Sequence, residues 1–198
     1  QTVAEDVAWL ANEISTAPAL SLLDPSFEAW TRQDADLLLY TDACGQSEDK
    51  VGGGGFWWTD PLDPLEIRHG VYFRGAAPFV DTNFAETATA ALGVEYLVSL
   101  FPGKRRILIF TDNTAAIYAI DAGKSSAKIL SCVADLYSFL RARSVDVRVK
   151  HVSGVDNTDA DELSRLTPSS LAKRWRHDRR RTLTLLSPSA AALEGAYQ

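Results

Sequence analysis

The sequence predicts an α/β fold, a mixed sheet covered by helices, and three observations predict it. Between residues 36 and 74 the chain carries three strand-like runs bounded by Gly and Pro. From residue 83 on, the apolar spacing turns helical, and helical and strand-like segments then alternate. With 198 residues, 46% of them apolar, the chain can bury a sizeable core without disulfide staples.

Taken in order, residues 1–34 read as a polar N-terminal arm, with a short helix at 3–14 and a Pro-marked loop at 18–25. Residues 36–41 (DLLLYT) form an apolar run bounded by polar residues, which predicts a buried strand. Gly52 to Gly55 read as a tight hairpin leading into a strand over 54–59, which Pro61 and Pro64 end. Residues 65–74 (LEIRHGVYFR) alternate as a third strand. A helix over 83–100 is predicted by Phe84, Ala88, Ala91, Leu92, Val94, Tyr96, Leu97 and Leu100, and Phe101-Pro102-Gly103 stops it. A strand at 106–111 (RILIFT) follows, then helices at 113–120 and 125–143, a strand at 145–152 and a last helix at 157–166. The order of a three-stranded meander followed by alternating β and α predicts a mixed sheet with helices on its faces. Residues 35–166 read as the domain proper, and 167–198 as a basic C-terminal extension or linker.

Composition narrows the function classes. The net charge is −6, but six basic residues against two acidic ones follow residue 166, so the body is more acidic still. An acidic body argues against tight, nonspecific nucleic-acid binding by charge alone, and leaves open an enzyme whose acids hold divalent metals. No apolar run is long enough to span a membrane, and no secretory signal opens the chain. Cys44 and Cys132 lie far apart and match no zinc spacing, which suits a reducing compartment. The expected location is intracellular, cytoplasmic or nuclear, without secretion. Methionine is missing even at position 1, so the sequence is expected to be a piece of something longer or a processed product.

Four carboxylates stand where the chain changes direction. Asp42 and Asp112 follow strands, Glu86 lies in the first turn of the long helix, and Asp161 in the first turn of the last one. In open α/β sheets, ligands gather beyond the carboxyl ends of strands. Four acids gathered there repel unless cations neutralise them, and hard oxygen donors suit Mg²⁺ or Mn²⁺. Each acid also has an ordinary reading: Asn83-x-x-Glu86 as a capping box, Thr158-x-x-Asp161 as a weaker one, Asp112 as the N-cap of the next helix, Asp42 as a turn residue.

The combination is more specific than its parts. LLLYTDACG around Asp42, TNFAETATAAL around Glu86, ILIFTDNTAAIYAI around Asp112 and KHVSGVDNTDADELSR around Asp161 resemble the type 1 ribonuclease H domain. They are most similar to those attached to retroelement reverse transcriptases, of the LTR or DIRS-like kind. The resemblance covers residues 35–166. It implies an RNase H-like fold, a five-stranded mixed sheet flanked by helices, and metal-dependent cleavage of the RNA strand of RNA/DNA hybrids. By the same resemblance, Asp42, Glu86, Asp112 and Asp161 would hold two Mg²⁺ ions, with Mn²⁺ a substitute, and His151 would serve in proton transfer or product release. Asn83 would reach 2′-hydroxyls in the minor groove of the hybrid, with Thr114 and Asn157 as further ribose or backbone contacts. The expected partners are an RNA/DNA hybrid and a reverse transcriptase polymerase domain in the same polyprotein, with no membrane.

One departure stands out. The junction DAGKSSAK, with only Lys124 and Lys128, lacks the basic protrusion of cellular members, so weak binding by the isolated domain is expected. In the extension, Leu171 to Arg181 (LAKRWRHDRRR) read either as phosphate contacts with Trp175 stacking on a base, or as a solvated linker. Two other functions compete: a domesticated or inactive module that binds or scaffolds without cutting, and a DNA-cutting relative of the same fold. The second usually places a glutamate in a C-terminal helix, whereas Glu86 comes early.

Overall fold

The computed structural model describes residues 7–8, 30–45, 52–74, 81–165, 175 and 180–186. The chain divides into two units, 1–30 and 31–198. In the first, Val7 and Ala8 are helical, and the rest of the helix expected at 3–14 lies outside the described residues.

The second unit runs β1 (Leu37–Cys44), β2 (Gly53–Thr59), β3 (Arg68–Arg74), α1 (Thr82–Leu100), β4 (Arg106–Thr111), α2 (Thr114–Ala122), α3 (Ala127–Arg143), β5 (Asp146–His151), α4 (Thr158–Ser164) and β6 (Arg181–Leu185). One sheet holds all six strands in the order β5-β4-β1-β2-β3-β6. β2 pairs antiparallel with β1 and β3, and the remaining pairings are parallel, so β2 alone runs against the other five. The sheet thus has six strands where five were expected. The sixth comes from the basic extension.

Strand alternation sorts the core into two layers. Leu37, Leu39, Phe56, Ile107 and Ile109 face the side covered by α1, α2 and α3. Leu38, Tyr40, Trp57, Leu108 and Phe110 face the other side, where α4 and Trp175 pack. There Tyr40 stacks between Trp57 and Phe110, with ring centroids 4.0 and 4.5 Å away. β3 starts at Arg68 rather than residue 65, because Asp60 and Asp63 fold the preceding loop: their carboxylates accept from the amides of Leu62 and Leu65 at 2.9 Å each.

The strand expected from residue 54 begins at Gly53, so Gly53 to Gly55 extend a strand where a tight hairpin was also read. They belong to β2 and carry β1 on to Cys44, with Asp42 opposite Gly55. The physical reason is close approach on both faces. A Cβ on Gly54 would lie 2.5 Å from Thr89 Oγ1 of α1, and one on Gly55 would lie 2.5 Å from the Leu163 carbonyl carbon of α4. Backbone cannot yield cheaply there. Gly55→Ala is therefore expected to cost about 3 kcal/mol or more of stability and to displace α4, measured by denaturant unfolding. A variant as stable as wild type would mean that α4 sits further from the sheet.

Candidate active site

Parallel pairing builds the site. β1 and β4 pair from Leu37 with Ile107 to Tyr40 with Phe110, and carrying that register on by two residues sets Asp42 level with Asp112. Glu86, in the second turn of α1, completes the group: one carboxylate oxygen from each of Asp42, Glu86 and Asp112 lies within 4.8 Å of the others. None of the three is used as a cap or turn. The N-cap of α1 is Asp81, which accepts from the amides of Asn83 and Phe84, so Glu86 closes no capping box. The N-cap of α2 is Asn113, which accepts from the Ala116 amide and leaves Asp112 outside the helix. Asp42 lies within β1.

Burial makes this cluster electrostatically costly. Loss of solvent, then the facing charge of Asp42, pushes the Glu86 carboxyl up to about 9, against a smaller opposing pull from the Ala43 amide. Burial also raises Asp42 to about 6; the Ser164 hydroxyl lowers it and the charges of Asp161 and Asp112 raise it further. Asp42 Oδ2 and Glu86 Oε2 are buried with no hydrogen-bond partner. Two orphaned carboxylate oxygens, with an Asp112 oxygen within 4.8 Å of the Asp42 and Glu86 carboxylates, fit a hard divalent cation, which would satisfy both the lone pairs and the repulsion.

Asp161 stands apart from these three. It is half-exposed, and its Oδ1 accepts from Arg165 Nε at 2.7 Å, one helical turn on. Its charge is still felt at Asp42. Thr158 provides no cap for α4; the N-cap position is Asn157, without a side-chain cap bond. His151 ends β5 in register with Thr111, exposed at the strand end that precedes Asp112. Asn83 and Thr114 are exposed at the starts of α1 and α2, and Asn113 Nδ2 donates to Asn83 Oδ1 at 3.1 Å. Asn157 is 1% exposed; its Nδ2 donates to the Thr41 carbonyl at 3.0 Å and ties the start of α4 to β1, while its Oδ1 has no hydrogen-bond partner.

The chain matches solved structures over about two thirds of its length. RNase H1 from the halophilic archaeon Halobacterium salinarum is 16% identical, covering 65% of this chain and 93% of its own, with a TM-score of 0.51. The chain has the ribonuclease H fold. An N-terminal RNase H domain from Mycobacterium tuberculosis, solved as a fusion with maltose-binding protein, is 16% identical over 66% of this chain and 91% of its own, with a TM-score of 0.51. LC11-RNase H1, solved in complex with an RNA/DNA hybrid, is 17% identical over 64% and 92%, also with a TM-score of 0.51. No protein-family model and no curated protein sequence matches the chain.

On this ribonuclease H fold, the sequence reading gave no role to three residues of the site. Arg165 carries the signal of acid-to-base spacing four residues apart. Gly154 lets the loop after β5 close on Asp112: a Cβ there would lie 3.0 Å from Asp112 Oδ2. Asn113 takes the capping role expected of its neighbour Asp112. The basic extension fits neither of its two readings where it is described. Trp175 is 1% exposed and so cannot stack on a base, and Arg181 pairs with Asp159 at 2.9 Å. Lys173, Arg174, Arg176 and Arg179 lie outside the described residues. Among the described residues, no helix is long and apolar enough to cross a membrane.

Proposed function

We propose that this chain is a metal-dependent endoribonuclease that cleaves the RNA strand of RNA/DNA hybrids. The observation that carries the reading is the Asp42, Glu86 and Asp112 cluster, with two buried, unpartnered oxygens, on a ribonuclease H fold. The motif around Asp161 supports a further step: the chain serves a retroelement reverse transcriptase, joined in one polyprotein to its polymerase.

Asp42, Glu86 and Asp112 would hold Mg²⁺ or Mn²⁺, and Asp161 would join them once Arg165 releases it. When bound, such ions supply Lewis-acid activation of water and stabilise the leaving oxygen of a phosphodiester. The protein does the rest by position. The packed sheet fixes Asp42 and Asp112 at one edge, and α1 brings Glu86 to it. His151, exposed beside that edge, moves a proton on an imidazole nitrogen between the departing 3′-oxygen and solvent. With its Oδ1 held by Asn113, Asn83 offers its Nδ2 to a ribose 2′-hydroxyl, the group that marks RNA.

The test is cleavage of a short labelled RNA/DNA hybrid in Mg²⁺ and Mn²⁺, beside single-stranded RNA, duplex RNA and duplex DNA. Cutting confined to the RNA strand of the hybrid is expected. Cutting of duplex DNA instead, or no cutting at high protein concentration with a tethered hybrid-binding module, overturns the reading.

A further inference from the structure

The helix that carries Asp161 is only seven residues long, too short to hold itself. Its anchor is Asp159, 3% exposed and two residues before Asp161. Both Asp159 oxygens are engaged: Oδ2 accepts from Arg68 Nη1 at 2.5 Å, and Oδ1 from Arg181 Nη1 at 2.9 Å. Arg68 begins β3 and Arg181 begins β6, and the two residues pair in register. Each guanidinium also lies over a tryptophan ring, Arg68 at 4.8 Å from the Trp57 centroid and Arg181 at 4.9 Å from that of Trp175.

Trp175 completes the grip. It packs with Ala160 and Leu163 of α4, and its ring lies 2.7 Å from where a Cβ on Gly70 would stand. His69 adds a tie from β3 to β6, its Nδ1 2.7 Å from Thr182 Oγ1. Arg181, Trp175 and Thr182 lie beyond residue 166, where the motif resemblance ends.

We infer that Trp175 and β6 form a clamp on α4, with Arg181 a positioning residue for Asp161 acting through Asp159. The inference rests on the reading that Asp161 serves the nuclease centre. A buried carboxylate stripped of the Arg181 guanidinium leaves its place or draws in water. The turn of helix that follows it then loses its register against the sheet, and Asp161 with it. The simpler role for β6 is to cover the edge of β3, which places no demand on α4.

The full chain tests this as wild type, Arg181→Met, Arg181→Lys and Asp159→Asn, with Thr184→Gly weakening β6 away from the ion group. Two quantities are read: amide hydrogen exchange at residues 161–165 relative to β1, and the Mg²⁺ midpoint and KM for hybrid cleavage. Arg181→Met is expected to speed exchange in α4 selectively and to raise the Mg²⁺ midpoint roughly tenfold at unchanged KM for the hybrid. Arg181→Lys should restore part of both effects, and Thr184→Gly should loosen β3 and β6 only. Should Arg181→Met fail to fold, Asp159→Asn, which keeps the volume, is read in its place with the same expectation. Wild-type exchange in α4, a uniform rise across the sheet, or faster α4 exchange with an unmoved Mg²⁺ midpoint each overturns the clamp. If the wild type cleaves nothing, the nuclease reading falls, while selective exchange in α4 still decides whether Arg181 holds the helix.

Discussion

Asp112→Asn is expected to leave the protein folded and to lower hybrid cleavage by roughly 10³-fold or more. The position is informative because Asp112 is neither a cap nor a pairing partner in the sheet: the α2 cap is Asn113, and β4 ends at Thr111. The amide keeps the volume and one oxygen, so packing is spared while the negative charge goes. Thermal unfolding without divalent ions checks the first half of the expectation, and initial rates of hybrid cleavage in saturating Mg²⁺ check the second. A large loss of melting temperature would assign Asp112 a structural role. A variant that cuts as fast as wild type would remove the three-acid centre from the mechanism.

Glu86→Gln is expected to melt about 5 °C or more above wild type at pH 8 without divalent ions, and the gap should close toward pH 5. The sign follows from proton linkage. Glu86 ordinarily ionises near 4.5, and in the folded chain burial holds it up to about 9. Between those values the folded chain keeps a proton that the unfolded chain has released, so stability is full at low pH and falls as pH rises toward 9. Asp42, raised from 3.8 to about 6, adds to that slope at the acid end. Glutamine has no proton to lose and escapes its share of the penalty. Added Mg²⁺ or Mn²⁺ should reverse the order, because the cation binds the ionised carboxylates and stabilises wild type more than the variant. Differential scanning of both proteins from pH 5 to 8.5, with and without the ion, measures all of this. Equal melting curves across that range would mean that Glu86 is solvated and takes no part in a buried cluster.

The strand and helix order could be read from the sequence because periodicity reports burial directly. ILIFT is buried on both faces of the sheet, and the long apolar spacing after Thr82 winds into α1, which is buried on most of its sides. Other features depended on contacts that no local pattern encodes. RTLTL has no apolar run, and its place in the sheet comes from β3 and from Asp159, far away in sequence. The caps fell one or two residues from their expected places because Asp and Asn serve equally well there, and only the folded chain selects Asp81 and Asn113. That small shift matters for function, since it leaves Glu86 and Asp112 unspent on capping. Asn157 matched a motif by type and position, and only the folded chain shows its Nδ2 committed to the Thr41 carbonyl.

Strand polarity has a further consequence for what the chain can deliver to its own centre. With only β2 reversed, the carboxyl ends of β1, β4 and β6 share one edge, the edge that carries Asp42 and Asp112. The chain therefore leaves β6 at Leu185 on the reactive side, three strand spacings from β1, about 14 Å. A group fused directly after β6 therefore starts at the edge that carries the acids, whereas one fused directly ahead of β1 starts at the opposite edge.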